Sequence, residues 1–434
     1  MASSVSSSLA GRRIFLGVSG GIAAYKAVEL LRLLTRRAEE GGAGADEVRV
    51  VMTPAATEFV RPLTFQTLSG FPVGTTLWDL TAESEIGHIT LAQRTDLVVV
   101  APATADLIGR YAAGLADDLL TTVLLATTAP VLLAPAMNPQ MYAHPAVQAN
   151  LATLRARGVG IVEPTEGELA CKSYGPGRLA EPPTILEAIL ERLAPTDLAG
   201  VRLLVTTGPT REPLDPVRYL SNRSSGRMGV AIARAARRRG ASVTLVAGPL
   251  EVPPPGGVEV VLVETAAEMA AAVLERAETA TAVIMAAAIA DYRPEVVVPR
   301  KVKKGPEGER WTLALTPTVD ILAELGRRRR EARAAGRGPG PVLVGFAAET
   351  DDLVAHAREK LVGKGIDLVV ANDVTAPGSG FGVETNAVVL VGPDGVVESR
   401  AVAPKAEVAD AILDRVASLV ALSVRASASA PTGG

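Results

Sequence analysis

The chemistry available to this sequence is concentrated in one cysteine, three histidines, and a few asparagines and lysines at turn positions. Cys171, the only cysteine in 434 residues, lies in Glu168–Arg178 (Glu-Leu-Ala-Cys-Lys-Ser-Tyr-Gly-Pro-Gly-Arg). There Gly175, Pro176 and Gly177 predict a bent, mobile loop, not a helix or strand interior. A thiol on such a loop can close over a ligand and deliver a proton, although a free cysteine alone is more often a small buried hydrophobe. His88, in Ser84-Glu85-Ile86-Gly87-His88-Ile89, precedes an expected helix, where a histidine commonly just bonds the backbone. His144 and His356 fall in helical surface contexts with no motif beside them. Ser19-Gly20-Gly21 ends an apolar run and opens a helical pattern, a geometry that offers free backbone N–H groups to a phosphate. It is not a G-x-G-x-x-G, so it does not indicate a dinucleotide, and a βα turn without ligand fits equally well.

Other candidates sit at comparable places. Asn138 follows the apolar run Val131–Ala134 in Pro135-Ala136-Met137-Asn138-Pro139. Asn222 lies in the long loop Thr207–Gly229, whose glycines, serines and arginines can wrap phosphates through N–H groups and guanidinium forks. The basic stretch Pro299-Arg300-Lys301-Val302-Lys303-Lys304-Gly305 is either surface charge or a loop folded over a triphosphate. Lys360 and Lys364 are four apart near a helix end and face the same way.

The elements that must position these residues alternate strand and helix. Arg12–Val18, Glu47–Met52, Asp96–Ala101 and Val131–Ala134 read as strands, with a helix over Ile22–Arg37 that has Ala27, Leu30, Leu31 and Leu34 on one face. Four apolar strands with helices between them imply a doubly wound parallel sheet. Its polar strand ends (Ser19, Thr53, Thr104, Asn138) gather at the carboxyl edge, where such sheets bind ligands. After a boundary near Ala194–Leu198, strands over Val201–Thr206, Ser242–Val246, Val258–Val263, Ala282–Ala287, Val342–Ala347 and Asp367–Ala371 make a second, Rossmann-like α/β domain. A hairpin, Ala387–Val391 with Val396–Ser399, adds an antiparallel edge. The run Arg327–Arg330 reads as a solvated helix face. The organisation expected is a tail over 1–10, domains over 11–194 and 195–422, and a tail over 423–434.

Composition narrows the class. A length of 434 residues and a hydrophobic fraction of 48% suit two or three packed domains. Lys+Arg 44 against Asp+Glu 47, net −3, leaves no electrostatic footprint for nucleic acid or an anionic membrane. A single cysteine excludes an intrachain disulfide and fits a reducing compartment. Met1–Ala10 lacks an apolar core, so no signal peptide is expected. Val123–Met137 is broken by Thr127, Thr128, Pro130 and Pro135, so no membrane span is expected and the location expected is cytoplasmic.

Gly17-Val18-Ser19-Gly20-Gly21-Ile22-Ala23-Ala24-Tyr25-Lys26, the His88 segment, Pro135-Ala136-Met137-Asn138 and Leu169-Ala170-Cys171 occur in this order. Together they resemble the flavin-dependent cysteine decarboxylases of the phosphopantothenoylcysteine type, over about the first 190 residues. The resemblance implies bound FMN and a flavodoxin-like homo-oligomer that shares sites across subunits. By position it implies that Ser19, Gly20 and Gly21, with Thr53 and Thr104, hold the flavin. It likewise implies that His88 assists oxidation of the substrate's cysteinyl thiol, that Asn138 binds the substrate carboxylate, and that Cys171 protonates the intermediate. The chemistry is coherent: oxidising the thiol creates a thiocarbonyl that accepts the electrons released with CO2, and a neutral amide such as Asn138 does not over-stabilise the carboxylate. Two positions depart from the family pattern: Lys172 stands where glycine is usual, and Tyr142 where tryptophan is frequent. Lys172 could stiffen the loop or lower the pKa of the Cys171 thiol.

The second half resembles phosphopantothenate–cysteine ligases in the Asn222 loop, the Asp291 segment, the Lys301 loop, Val344–Thr350 and Ala371-Asn372-Asp373, in that order. Decarboxylase first and ligase second is the arrangement of bifunctional enzymes of coenzyme A synthesis. The resemblance implies that the carboxylate of 4′-phosphopantothenate attacks the α-phosphate of CTP, and that cysteine then displaces CMP to give 4′-phosphopantothenoylcysteine. Lys301 would offset phosphate charge and Asn222 would hold the acyl oxygen. Ala287, Asp291, Lys301, Pro317, Thr318, Val319, Asp320, Phe346, Lys360 and Lys364 would bind the nucleotide, with Mg²⁺ on the triphosphate. The choice of CTP over ATP rests on the resemblance alone, and no metal ligands are assigned. Two alternatives are flavin prenyl transfer, against which His88, Asn138 and Cys171 together speak, and a flavin-binding regulatory subunit without turnover.

Overall fold

In the computed structural model the described residues are 9–36, 42–77, 88–168, 174–303, 310–349, 352–373, 380 and 382–428. The chain divides into two compact units, Ser7–Ala194 and Pro195–Gly434.

The first unit is built on β1 (Arg13–Val18), β2 (Glu47–Met52), β3 (Leu97–Ala103), β4 (Val131–Pro135) and β5 (Gly160–Ile161), all parallel, in the order β2-β1-β3-β4-β5. This is the flavodoxin-like order, with its switch point between β1 and β3. The central strands are buried on both faces, so they read as continuous apolar runs; β5, only two residues long, gave no such run and was not anticipated. Helix Ala24–Thr35 buries Ala27, Leu30, Leu31 and Leu34 against one face, each leucine contributing about 1.5–3 kcal/mol. Phe15, Val98 and Val100 point to the opposite face and pack with Leu120 and Val123 of helix Leu119–Ala126. Leu9, expected in a terminal tail, is a core residue and donates its N–H to the carbonyl of Ala43 at 2.6 Å.

The stretch read as a mobile loop is different in part. β6 (Thr165–Glu168) and β7 (Tyr174–Arg178) pair antiparallel, so Gly175, Pro176 and Gly177 lie in a strand. Glycine serves here for close approach: Met137 donates its N–H to the carbonyl of Gly177 at 2.9 Å. A Cβ on Gly177 (φ 130°) would stand 2.4 Å from the carbonyl oxygen of Met137. Cys171 and Lys172 lie outside the described residues.

The second unit holds β8 (Arg202–Thr207), β9 (Arg211–Pro213), β10 (Tyr219–Ser221), β11 (Ser242–Ala247), β12 (Glu259–Leu262), β13 (Ala282–Met285), β14 (Tyr292–Pro294), β15 (Leu315–Pro317), β16 (Val342–Glu349), β17 (Leu368–Asp373), β18 (Thr385–Gly392) and β19 (Gly395–Pro404). Its main sheet runs β12-β11-β8-β13-β16-β17-β18-β19. The first six strands are parallel, in the Rossmann order with a switch point between β8 and β13, and the expected hairpin β18–β19 adds the antiparallel edge. The long loop after β8 is not featureless, since β9 and β10 form a hairpin inside it. β14 and β15 form another.

Two expectations are corrected. Arg329 of the run Arg327–Arg330 is buried and pairs with Asp367, because Ile321, Leu322, Leu325 and Arg329 share the inner stripe of helix Ile321–Ala334. Arg327 and Arg328 do face outward, against Glu324. Helix Lys405–Ala428 runs on through Ser423–Ala428, where a tail was expected, in continuation of a stripe that buries Val408, Ile412 and Val416.

Candidate active sites

In the first unit the carboxyl ends of β1, β2, β3 and β4 open into one cavity of about 1,090 Å³. Ser19, Gly20, Gly21, Thr53, Thr104 and Asn138 all line it, as do Lys26, Arg110, Arg178 and Met137. The hydroxyl of Ser19 donates to the carbonyl of Pro102 at 2.7 Å and accepts the N–H of Thr104 at 2.9 Å, tying the two turns at the switch point together. With that proton engaged, the side chain of Ser19 is a brace for the turn. A Cβ on Gly20 would meet that of Ala55 at 2.4 Å, so the turn approaches the start of helix Pro54–Thr57 as closely as only glycine allows.

Thr53 and Thr104 cap helices Pro54–Thr57 and Ala105–Ala113, accepting N–H bonds from Ala56 and Leu107 at 3.3 and 3.4 Å. Each keeps a hydroxyl proton that no group among the described residues takes. The Oδ1 of Asn138 caps helix Pro139–Ala143 through the N–H of Gln140 at 2.8 Å. The starts of these three helices and of helix Ala24–Thr35 thus line one cavity, and N–H-rich helix ends favour anions. The volume lies just above the roughly 300–1,000 Å³ usual for small-molecule sites.

Lys26 is almost wholly buried, with its ammonium 2.9 Å from Glu181, which also accepts from Arg178 at 3.0 Å. The Lys26 bond chiefly holds the Glu181 carboxyl below its ordinary pKa, against a smaller effect of burial. This link between the helix after the glycine turn and the end of β7 was missed from sequence, although Lys26 lies inside a motif already singled out. His88 is the first residue of helix His88–Arg94. Tyr142 donates its hydroxyl to Glu163 at 2.8 Å, and burial first, then that carboxylate, raises its pKa.

In the second unit the segment after β13 is stitched to the loop after β8. Ala287 donates its N–H to Thr206 Oγ1 at 3.1 Å, and Ala290 its own to Thr210 Oγ1 at 3.0 Å. Asn222 Nδ2 donates to the carbonyl of Ile289 at 2.9 Å. The β14–β15 hairpin then brings Asp291 beside Thr318, whose N–H reaches the Asp291 carbonyl at 2.9 Å and whose hydroxyl reaches that of Ala290 at 2.6 Å. Pro317 ends β15, and Val319 is exposed.

Asp320 caps helix Ile321–Ala334 and pairs with Lys364 at 2.8 Å. Burial would raise its pKa, but the Lys364 bond, the Ala323 N–H and the charges of Lys364 and Lys360 hold it below the usual value. Lys360 Nζ donates to the carbonyl of Phe346 at 2.6 Å, so both lysines do share a helix face. Asn222, Ala287, Asp291, Thr318, Asp320, Phe346, Lys360 and Lys364 are therefore linked by contact or by adjacent chain. Lys301 is exposed, and its segment meets the loop that carries Asn222 through its neighbour Val302, whose N–H reaches Asp215 Oδ2 at 3.2 Å, and through Val298, whose N–H reaches the carbonyl of Leu214 at 3.0 Å. Among the described residues no three His, Cys, Asp or Glu side chains cluster as a metal site, and no helix is long and apolar enough to cross a membrane.

Residues 2–194 match the family model described as Flavoprotein, and residues 198–420 match that of the DNA/pantothenate metabolism flavoprotein C-terminal domain. The coenzyme A biosynthesis bifunctional protein CoaBC of Vibrio cholerae is 50% identical over 89% of this chain and 94% of its own. That of Bacillus subtilis is 46% identical over 95% and 98%. A crystal structure of the C-terminal domain of a CoaBC protein aligns at 38% identity with a TM-score of 0.43, covering 52% of this chain and 98% of its own.

Proposed function

We propose, since this chain belongs to the family of coenzyme A biosynthesis bifunctional proteins, that its first unit decarboxylates 4′-phosphopantothenoylcysteine with FMN and its second makes that compound with CTP. The chain is a bifunctional enzyme, a flavoprotein decarboxylase followed by a phosphopantothenate–cysteine ligase. What carries the finer reading is the convergence of six expected residues, from four separate chain segments, on the single cavity at the β1/β3 switch point.

That cavity fits FMN by its donor set. Backbone N–H groups of Gly20 and Gly21 and the hydroxyls of Thr53 and Thr104 would take the phosphate, with Ser19 bracing the turn. FMN, when bound, supplies a two-electron sink for the cysteinyl CH2–SH and later returns the electrons. The residues do the rest. Asn138 holds the carboxylate by a neutral amide, so the C–C bond can break and its electron pair can move into the newly formed C=S as CO2 leaves. Cys171 gives the proton that accompanies reduction of the resulting enethiol, and His88 serves the earlier removal of the thiol proton.

In the second unit a carboxylate oxygen of 4′-phosphopantothenate bonds to the α-phosphorus of CTP, and the bond to the β-phosphate breaks with loss of pyrophosphate. The cysteine nitrogen then bonds to the acyl carbon, CMP leaves with the C–O pair, and the ammonium sheds its proton. Lys301 offsets phosphate charge in the first step, and Asn222 holds the acyl oxygen in the second. Asp291, Thr318, Phe346 and the two helical lysines shape the nucleotide site. Mg²⁺ brought in with the nucleotide would offset the charge of the triphosphate beside Lys301. A cytoplasmic homo-oligomer belongs to the same proposal.

One reaction tests this. The purified protein is mixed with 4′-phosphopantothenate, cysteine, CTP and Mg²⁺, and products are followed by mass spectrometry. The expected products are CMP and 4′-phosphopantetheine. Asn222→Ala and Lys301→Ala should each lose roughly 10²–10³-fold in ligation while keeping decarboxylation. Cys171→Ser should ligate but stop before 4′-phosphopantetheine. Absence of CMP would overturn the nucleotide assignment, and loss of both activities in one ligase variant would overturn two separate sites.

A further inference from the structure

Asp215 lies in the Thr207–Gly229 loop but carries no role in the resemblance, and it sits where two of the ligase site's segments meet. It follows Leu214 in the turn between β9 and β10, and its side chain is fully buried. Oδ1 accepts the N–H groups of Val217 and Arg218, both at 2.8 Å, an Asx-type turn that shapes the hairpin. Oδ2 accepts from the Arg218 guanidinium at 2.7 and 3.0 Å and from the N–H of Val302 at 3.2 Å. Arg218 in turn donates to the carbonyl of Val302 and lies over the ring of Trp311 at 4.8 Å. The N–H of Val298 reaches the carbonyl of Leu214 at 3.0 Å, so the segment that carries Lys301 runs beside the hairpin. The hairpin's other strand ends at Ser221, immediately before Asn222.

We propose that Asp215 is a positioning residue for ligation, the joint that sets Lys301, next to Val302, relative to Asn222, next to β10. This rests on the reading of Asn222 and Lys301 as ligase residues. An ionised carboxylate is what the joint requires, since every partner donates. Burial would raise its pKa, but the N–H groups of Val217, Arg218 and Val302, with the Arg218 guanidinium, hold it well below the usual carboxylate range. Asparagine at this position keeps the shape and one acceptor, but it sets an N–H2 group or a weaker acceptor against the guanidinium and the Val302 N–H.

The test uses the full chain with Asp215→Asn, Lys301→Ala and the double variant, each assayed for ligation and, separately, for decarboxylation. Asp215→Asn should lower the ligation kcat about 10²-fold, with KM for cysteine and the decarboxylation rate unchanged. Because Asp215 acts through Lys301, the double variant should be no slower than Lys301→Ala alone. Amide exchange in a peptide spanning 298–303 should be faster in Asp215→Asn than in the wild type, with melting of the whole unit little altered. Losses that multiply in the double variant, or exchange that does not change, would overturn the positioning role while leaving the ligase reading intact. A wild-type chain that makes no ligation product would overturn the ligase reading and the role of Asp215 with it.

Discussion

The Oγ of Ser19 lies 2.9 Å from the backbone nitrogen of Thr104 and accepts its proton, so the end of β1 is pinned to the end of β3 across the switch point. The residue nearest the expected phosphate therefore acts on the ligand through its neighbours, by fixing where Gly20 and the cap of helix Ala105–Ala113 stand.

Ser19→Ala should loosen FMN and leave ligation untouched. The variant leaves the half-buried N–H of Thr104 without its acceptor, while the carbonyl of Pro102 keeps the backbone N–H of Ser19 at 3.2 Å; the cost is about 1–3 kcal/mol. Flavin affinity, read by fluorescence on titrating FMN into the stripped protein, should fall about tenfold. Unchanged affinity would refute the brace.

Gly177→Ala should impair decarboxylation selectively. A methyl group there meets the Met137 carbonyl at 2.4 Å, at a φ of 130° that side chains disfavour. Strain of about 1–3 kcal/mol must push β7 from Met137 or shift the Asn138 turn, so decarboxylation should drop at least tenfold, with ligation as the internal control. A wild-type rate would show that the contact is dispensable.

Much of this is legible in the sequence. Both sheets are, because strands buried on two faces announce themselves as apolar runs; the two-residue β5 and the short hairpins β9–β10 and β14–β15 are not. The gathering of Ser19, Thr53, Thr104 and Asn138 follows from where parallel strands must end. What stays hidden is pairing across long separations. Nothing local says that Lys26 meets Glu181, that Asp215 meets Val302, or that Arg329 turns inward to Asp367 while its neighbours face water. A charged residue reads as exposed until its partner is found.

Lys405 gives the second unit a pH dependence of definite sign. Its ammonium is buried among the carbonyls of Val383 and Thr385 and the side chain of Asn386, at 2.6, 2.8 and 3.1 Å. Burial, only partly offset by Glu384, pushes its pKa down from 10.5 to about 8. Between those values the unfolded chain holds the proton and the folded chain does not, so stability should rise with pH across that window. The rise is at most about 3 kcal/mol. Lys405→Met should remove it, seen as a smaller difference between denaturation midpoints at pH 7.5 and pH 10. An equal difference in both proteins would show that Lys405 does not titrate there.

The β12 edge of the second sheet bears on how such a chain survives at high concentration. An open parallel sheet is a template on which another chain can extend by edge-to-edge growth. Here the outermost parallel strand is only Glu259–Leu262, and Pro253, Pro254 and Pro255 precede it, where none can donate to a ladder. The opposite edge is the hairpin strand β19, which carries Glu398 and Arg400 as a pair. A short strand behind a proline run at one edge and a charged pair at the other both work against such growth.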